Sequence, residues 1–305
     1  MPKPSTVPSP AELLAYCFSV WPEVKKSQVR KWLKFQAITV NGRPISQFNH
    51  PLHTGDVIAV RNDRFAVPQT VVGSGIRIFF EDADILVIDK PADLLSIANE
   101  SEQEKTAYHQ LTDHVRRGNP MARERVWIVH RLDRETSGLM IFAKTIEAKG
   151  ILQSNWEAAE KCYEAVVEGQ LRETSGTFES DLDESNPFKV FSVRATDETR
   201  HAVTHFKVLA RSMWRSLVAL TLETGRRHQI RVHLSEAGCP IVGDKKYGAK
   251  SDPAKRLGLH SCSLRFPHPT TGREMRFESP LPKELVRLVP LAIRPKLDPR
   301  DDEAR

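Results

Sequence analysis

Apolar residues recur at helical spacing over residues 11–35, where Leu13, Leu14, Val20, Val29, Trp32 and Leu33 can face one core. The period then changes. Ile38-Thr-Val-Asn41-Gly42 is a short strand entering an Asn-Gly turn, a dipeptide that accepts left-handed backbone. Thr54-Gly55-Asp56 precedes a second strand over residues 57–60. Two helices followed by tight β-turns predict a small domain over residues 11–62, after a loose, proline-rich tail at residues 1–10. Residues 63–75, with Pro68, Gly73 and Gly75, read as a linker.

A larger domain is expected over residues 76–290. Ile85-Leu86-Val87-Ile88 is a continuous apolar run, as in a buried strand, and it stops at Lys90-Pro91. Helical spacing returns over residues 104–117, and strands read at 139–143, 163–167, 202–209 and 217–222. Residues 226–237 read as a helix closed by Gly238, a residue free to take the left-handed conformation that ends helices. Strands outnumber helices and do not alternate with them, which predicts an α+β fold on a mixed, mainly antiparallel sheet. The charged residues 291–305 read as a frayed tail.

Composition narrows the class. Of 305 residues 40% are hydrophobic, enough for a sizeable core, and 45 Lys+Arg against 39 Asp+Glu give a formal charge of +6. The placement of that charge says more than its size. Before residue 62, Lys3, Lys25, Lys26, Arg30, Lys31, Lys34, Arg43 and Arg61 face only Glu12, Glu23 and Asp56, which suits a polyanionic partner. The four cysteines are far apart and form neither a zinc site nor a disulfide framework, so a reducing compartment is expected. No apolar stretch approaches the roughly 20 residues needed to span a bilayer, and the start lacks the apolar core of a signal peptide. A soluble, cytoplasmic protein without membrane association is expected.

The sharpest chemical signal is Val129-His130-Arg131-Leu132-Asp133-Arg134-Glu135-Thr136-Ser137-Gly138-Leu139. A carboxylate lies between two arginines, just before an apolar strand. Flanking guanidinium groups favour its ionised form, which suits a nucleophile or a stabiliser of a cationic sugar better than a general acid. As a bare pattern, however, Arg-x-Asp-Arg is more often a surface ion pair than a site.

The segment His130–Leu139 resembles the signature of the RluA-type pseudouridine synthases, His-Arg-Leu-Asp followed by Thr-Ser-Gly-Leu; the RsuA-type enzymes carry Gly at the position of His130. The resemblance implies that Asp133 is the catalytic residue and that Arg131 holds RNA open around a flipped base. Three further segments are similar to that family in order and spacing. Asp84-Ile-Leu-Val-Ile-Asp-Lys90-Pro91 resembles its strand-Lys-Pro element, with Asp93 where Gly is usual and Ile97 in a region that usually holds His, so a changed local turn is expected. Lys161-Cys-Tyr163 resembles its Lys-x-Tyr, implying that Tyr163 stacks on the uracil and assists proton removal from carbon 5. Gly225-Arg-Arg-His-Gln-Ile-Arg231-Val-His233-Leu, then Gly243-Asp-Lys-Lys-Tyr247-Gly248, resembles its third motif with Arg227 replacing Thr. Arg231 is thereby implied to pair with Asp133. On a helix Arg227 and Arg231 would share a face, so both are expected at one anionic site. Leu259 is implied to pack in that site, and His260 is expected to be structural.

His228 and His233 stand five apart and do not share a helical face, so no metal site is expected, and the reaction implied is an isomerisation that needs no cofactor. The first unit, from Ser27 to Arg43 and closing with Thr54-Gly55-Asp56-Val57, resembles the RNA-binding module named after ribosomal protein S-four. That likeness implies phosphate contacts by Arg30, Lys31, Lys34 and Arg43, and in this family such a module accompanies enzymes of large-subunit ribosomal RNA, with transfer RNA the lesser alternative. A monomer is expected. Two rival readings stand beside this one: an RNA-binding or ribosome-assembly factor that has lost turnover, and a glycosidase-like hydrolase pairing Asp133 with Glu135.

Overall fold

The computed structural model describes residues 2–34, 37–41, 43–45, 48–60, 70–100, 102–116, 119 and 121–289. The chain divides into two units: the first runs to Val71 and also takes Arg77–Glu81, and the second takes Val72–Ile76 and the chain from Asp82 onward. The side chains of Lys31, Lys34 and Arg43, most of the expected linker and the C-terminal tail lie outside the described residues.

In the small unit, helices Leu13–Val20 and Lys26–Lys34 flank Pro22, and strands Ile38–Val40 and Val57–Val60 pair antiparallel. Leu13, Val29 and Leu33 are buried as their spacing predicts, joined by Cys17, Trp21 and Ile58. Asn41 takes φ +51°, and its side chain accepts the Val57 N–H while donating to Asp56, which closes the expected turn. Residues 1–10 correct an expectation. Ser5–Thr6 pairs with Val57 and Ile58, and Val7 is buried, so apolar contact and strand pairing hold a segment whose prolines suggested a loose tail. Arg30 is exposed and lies over the Phe18 ring at 5.4 Å.

The large unit is built on a sheet whose strands run in the order Phe191–Val193, Ser175–Asp183, Arg200–Arg211, Arg215–Leu222, Glu160–Glu168, Leu259–Pro267, Ser137–Ala143 and Ile85–Lys90. Among these described strands every pairing is antiparallel except that of Ser137–Ala143 with Leu259–Pro267, where Ser137 faces His260 and Gly138 faces Ser261. The mixed, mainly antiparallel α+β fold follows. The two apolar strands Ile85–Lys90 and Ser137–Ala143 are buried at every position, as continuous apolar runs require. Gly138 has φ +113°, and a Cβ there would lie 2.3 Å from the Ser261 carbonyl oxygen, so only glycine lets these strands close together.

Helix Gln229–Glu236 starts three residues later than its sequence suggests, because His228 takes a left-handed φ of +54°. It ends, as expected, before Gly238 at φ +74°. Among the described residues no helix is long and apolar enough to cross a membrane.

Candidate active site

The polar segment before strand Ser137–Ala143 is fastened at several points. His130 Nε2 accepts the Ile141 N–H at 3.2 Å, and the His130 ring stacks on Trp156. Ser96 Oγ donates to the Leu132 carbonyl at 2.7 Å and accepts its N–H at 3.2 Å. Fully buried Lys90 donates to the carbonyls of Pro91, Leu94 and Arg134 at 3.0, 2.7 and 3.1 Å. Burial pushes the Lys90 ammonium down toward about 7, and nearby Asp133 and Asp93 oppose that. Three carbonyl acceptors match the three N–H bonds that only the charged form has. Asp93 takes φ +62°, the left-handed conformation that glycine adopts readily and aspartate tolerates, and its carbonyl accepts from Arg134 Nε. The turn thus accommodates the replacement.

These anchors set Asp133 at an open cleft lined also by Arg131, Tyr163, His228, Arg231 and Leu259. Asp133 is a quarter exposed, and its Oδ2 lies 3.3 Å from Arg231 Nη1. Its guanidinium partner therefore comes from a helix 98 residues away, and neither arginine flanking it in sequence makes that contact: Arg131 is exposed and Arg134 turns to Asp93. Arg231 is held in turn by Asp244, which is fully buried and accepts from Nε at 2.7 Å and Nη2 at 2.8 Å. Glu135 lies 3.6 Å from Arg231 Nη1. Burial works against the Arg231 charge, but Asp244, Asp133 and Glu135 outweigh it and hold the guanidinium above its ordinary range.

Tyr163 lies on strand Glu160–Glu168 at a β-bulge against Leu259–Pro267, nearly buried. Burial pushes its phenol well above the ordinary range, with a smaller opposing pull from a hydrogen bond to Ser261, so it stays neutral. Leu259 is buried beside it. His260 meets Ser137 and Ser279 through its two nitrogens at 2.8 and 3.1 Å, a structural arrangement.

Arg227 corrects a second expectation. It precedes the helix and shares no helical face with Arg231. Its guanidinium donates to the carbonyls of Glu184, Asn186 and Pro187, and it does not line the cleft. The site holds instead His228, whose Nε2 is 3.7 Å from Asp133 Oδ2 and whose Nδ1 is 2.8 Å from Tyr247 Oη. Burial, followed by Arg231, Lys246 and Arg227, pushes His228 down to about 4, so it is neutral near pH 7. Buried Gln229 shapes this turn. Its amide oxygen accepts from the Arg226 N–H and Thr224 Oγ1, and its amide nitrogen donates to the Val203 carbonyl. Neither Asp244, Tyr247 nor His228 was assignable from the sequence, although all three lie inside the third motif.

Asp82, Asp84 and His268 also converge, none of them lining the cleft. His268 Nε2 meets Asp82 Oδ2 at 2.8 Å and its Nδ1 accepts from the N–H groups of Thr270 and Thr271, while Asp82 Oδ1 accepts from Asp84 and Ile85. The ring's lone pair and N–H are both used, which describes a fastened turn. His233 points away from the cleft, toward Ser180 and Thr204.

A model of one protein family, RNA pseudouridylate synthase, matches residues 84–236, the span that carries Lys90, Asp133, Tyr163 and Arg231. The chain belongs to that family. It is accordingly an enzyme, an RNA-uridine isomerase. It is 33% identical over 289 residues to ribosomal large subunit pseudouridine synthase D of Pseudomonas aeruginosa, covering 89% of each chain. It is 32% identical over 292 residues to the protein of the same name from Escherichia coli O6:H1, covering 88% of this chain and 87% of the other. An uncharacterized RNA pseudouridine synthase of Bacillus subtilis (strain 168) is 34% identical over 256 residues, covering 83% and 89%. Among solved structures, human RNA pseudouridylate synthase domain containing 1 shares the fold with a TM-score of 0.55 at 26% identity, over 68% of this pseudouridine synthase and 85% of that chain. Human RNA pseudouridylate synthase domain containing 4 does so with a TM-score of 0.57 at 24% identity, over 69% and 91%.

Proposed function

We propose that this pseudouridine synthase acts in the cytoplasm, as a monomer, on uridine in large-subunit ribosomal RNA, with Asp133 as its catalytic carboxylate. The observation that carries the reading is the Asp133–Arg231 contact at 3.3 Å, at a cleft that also holds Tyr163. The substrate class is supported by the names of relatives that align over nearly nine-tenths of the chain.

The reaction breaks the bond from ribose C1′ to uracil N1, joins C1′ to C5, and moves one proton from C5 to N1. Nothing is oxidised or reduced. The Asp133 carboxylate can attack ribose, attack the base, or take a sugar proton, and in each case Arg231 is the guanidinium that orients it. The target uridine leaves the helical stack to reach it, which costs a few kcal/mol. In this reading the Tyr163 ring takes the extruded uracil on its face, with Leu259 beside it, and Arg131 holds the RNA open around the flipped base; all three line the cleft, Arg131 as an exposed side chain. A neutral phenol can accept the C5 proton only while passing its own onward, and Ser261 is the hydrogen-bonding group next to it.

The small unit, with the helical and turn pattern of a module like that of ribosomal protein S-four, contributes phosphate contacts through Arg30, Lys31, Lys34 and Arg43. Such contacts offset the cost of extrusion and make binding fall with salt.

The test is Asp133→Asn with transcribed large-subunit ribosomal RNA. Product should vanish while RNA affinity stays within a few fold; near-normal tritium release from 5-tritiated uridine would overturn the assignment. Free uracil as product would point to hydrolysis instead.

A further inference from the structure

We infer that residues 184–191 form a stacking platform for a nucleotide flanking the target, with Phe188 as the stacking ring and Arg227 as the clamp that fixes it. This rests on the reading of the cleft as an RNA site and names a contact beyond it.

The loop between strands Ser175–Asp183 and Phe191–Val193 is tied by hydrogen bonds to Arg227 and Tyr247, both next to His228 of the cleft in sequence or by contact. Arg227 donates to three of its carbonyls, and the Arg227 N–H donates to Glu184 Oε1 at 2.7 Å. Asn186 Oδ1 accepts the N–H groups of Phe188 and Lys189 at 2.8 and 3.2 Å, which fixes the turn. At the far end the Val190 N–H donates to Tyr247 Oη at 2.9 Å, and that hydroxyl also meets His228, the neighbour of Asp133.

Phe188 is 77% exposed, although the N–H groups of Phe188, Lys189 and Val190 are all hydrogen-bonded. Lys189 sits between the Phe191 and Tyr247 rings, 5.3 Å from each centroid. Arg226 lines the cleft, and Lys246 is exposed next to Tyr247. An exposed aromatic next to Lys189, in a loop tied through Tyr247 and His228 to the cleft proposed to take a flipped nucleotide, has the composition of a single-strand binding surface. It also explains why Arg serves at position 227 where the resembling motif has Thr: a shorter side chain reaches none of the three carbonyls.

The experiment compares Phe188→Ala, Phe188→Trp and Arg227→Thr with the unaltered enzyme. The probes are a 12-nucleotide single-stranded RNA for binding and transcribed large-subunit ribosomal RNA for turnover. Loss of one stacked base predicts an about 5- to 150-fold weaker Kd for Phe188→Ala, a similar rise in KM, and kcat within a few fold. Phe188→Trp should restore binding. Arg227→Thr should weaken binding in the same direction and also raise amide hydrogen exchange across residues 184–190, which Phe188→Ala leaves unchanged. Unaltered binding by Phe188→Ala, or a loss that Trp does not rescue, overturns the platform. If the unaltered enzyme makes no pseudouridine in that transcript, the substrate reading fails, while the 12-mer binding series still decides the platform.

Discussion

Arg231 divides its guanidinium among three carboxylates: two nitrogens lock onto buried Asp244 at 2.7 and 2.8 Å, and the third reaches Asp133 at 3.3 Å with Glu135 at 3.6 Å. The shorter, bidentate pair fixes the orientation and the longer contact uses it. Asp244 is thus a positioning residue for Asp133 without touching it.

Asp244→Asn should leave a buried guanidinium without its main counter-charge. Removing one partner of such a pair costs about 3–5 kcal/mol. Urea unfolding should show that loss, and turnover should fall at least tenfold in the protein that remains folded. A variant of normal stability and rate would show that Arg231 needs only Asp133.

Tyr163→Phe separates the ring from the hydroxyl. The ring is kept, so RNA affinity should hold within a few fold. If the phenol handles the C5 proton, kcat falls by about 10²- to 10⁴-fold. Single-turnover kinetics would measure both, and an unchanged rate would reduce Tyr163 to a stacking surface.

One buried histidine, His233, and two partly buried ones, His130 and His228, predict acid sensitivity. Burial pushes His130 down to about 3, and His228 and His233 down to about 4. For groups lowered on folding, the unfolded chain binds more protons between the folded value and the ordinary one near 6.5. Their contribution is therefore complete above about pH 6.5 and is lost as pH falls toward 4, each contributing up to roughly 1.4 kcal/mol per pH unit. Unfolding midpoints measured from pH 7.5 to 4.5 should decline, and His233→Gln should flatten the slope. A flat profile for the unaltered protein would contradict this.

Gly138→Ala should be among the most damaging single changes. The added Cβ would sit 2.3 and 2.5 Å from backbone atoms of Ser261, at a φ that alanine disfavours. A loss above about 4 kcal/mol is expected, read as insoluble expression or a collapsed urea midpoint. Gly150→Ala, with open space around it, is the control that should fold normally.

Sequence legibility followed the range of the forces involved. The apolar run at Ile85–Ile88 and the strand after Gly138 were readable because burial on both faces leaves a continuous signature. Strand Ser175–Asp183 was not, since most of its positions remain exposed or half-exposed and its sequence is polar. Asp133 and Arg231 were readable through their motifs. The Asp244 lock and the His228–Tyr247 link were not, because both depend on a left-handed residue at 228 and on a turn that returns after the helix. The clamp formed by Arg227 was missed for the same reason: helical spacing assumed a helix that His228 postpones.

The parallel seam between Ser137–Ala143 and Leu259–Pro267 bears on how the enzyme comes to life. During synthesis the chain makes Asp133 early, yet its guanidinium partner emerges 98 residues later, and the strand that closes the centre of the sheet later still. A growing chain therefore carries Asp133 before it carries Arg231 or the strand that pairs with Ser137–Ala143, and the arrangement around the cleft can close only after residue 267 has been made.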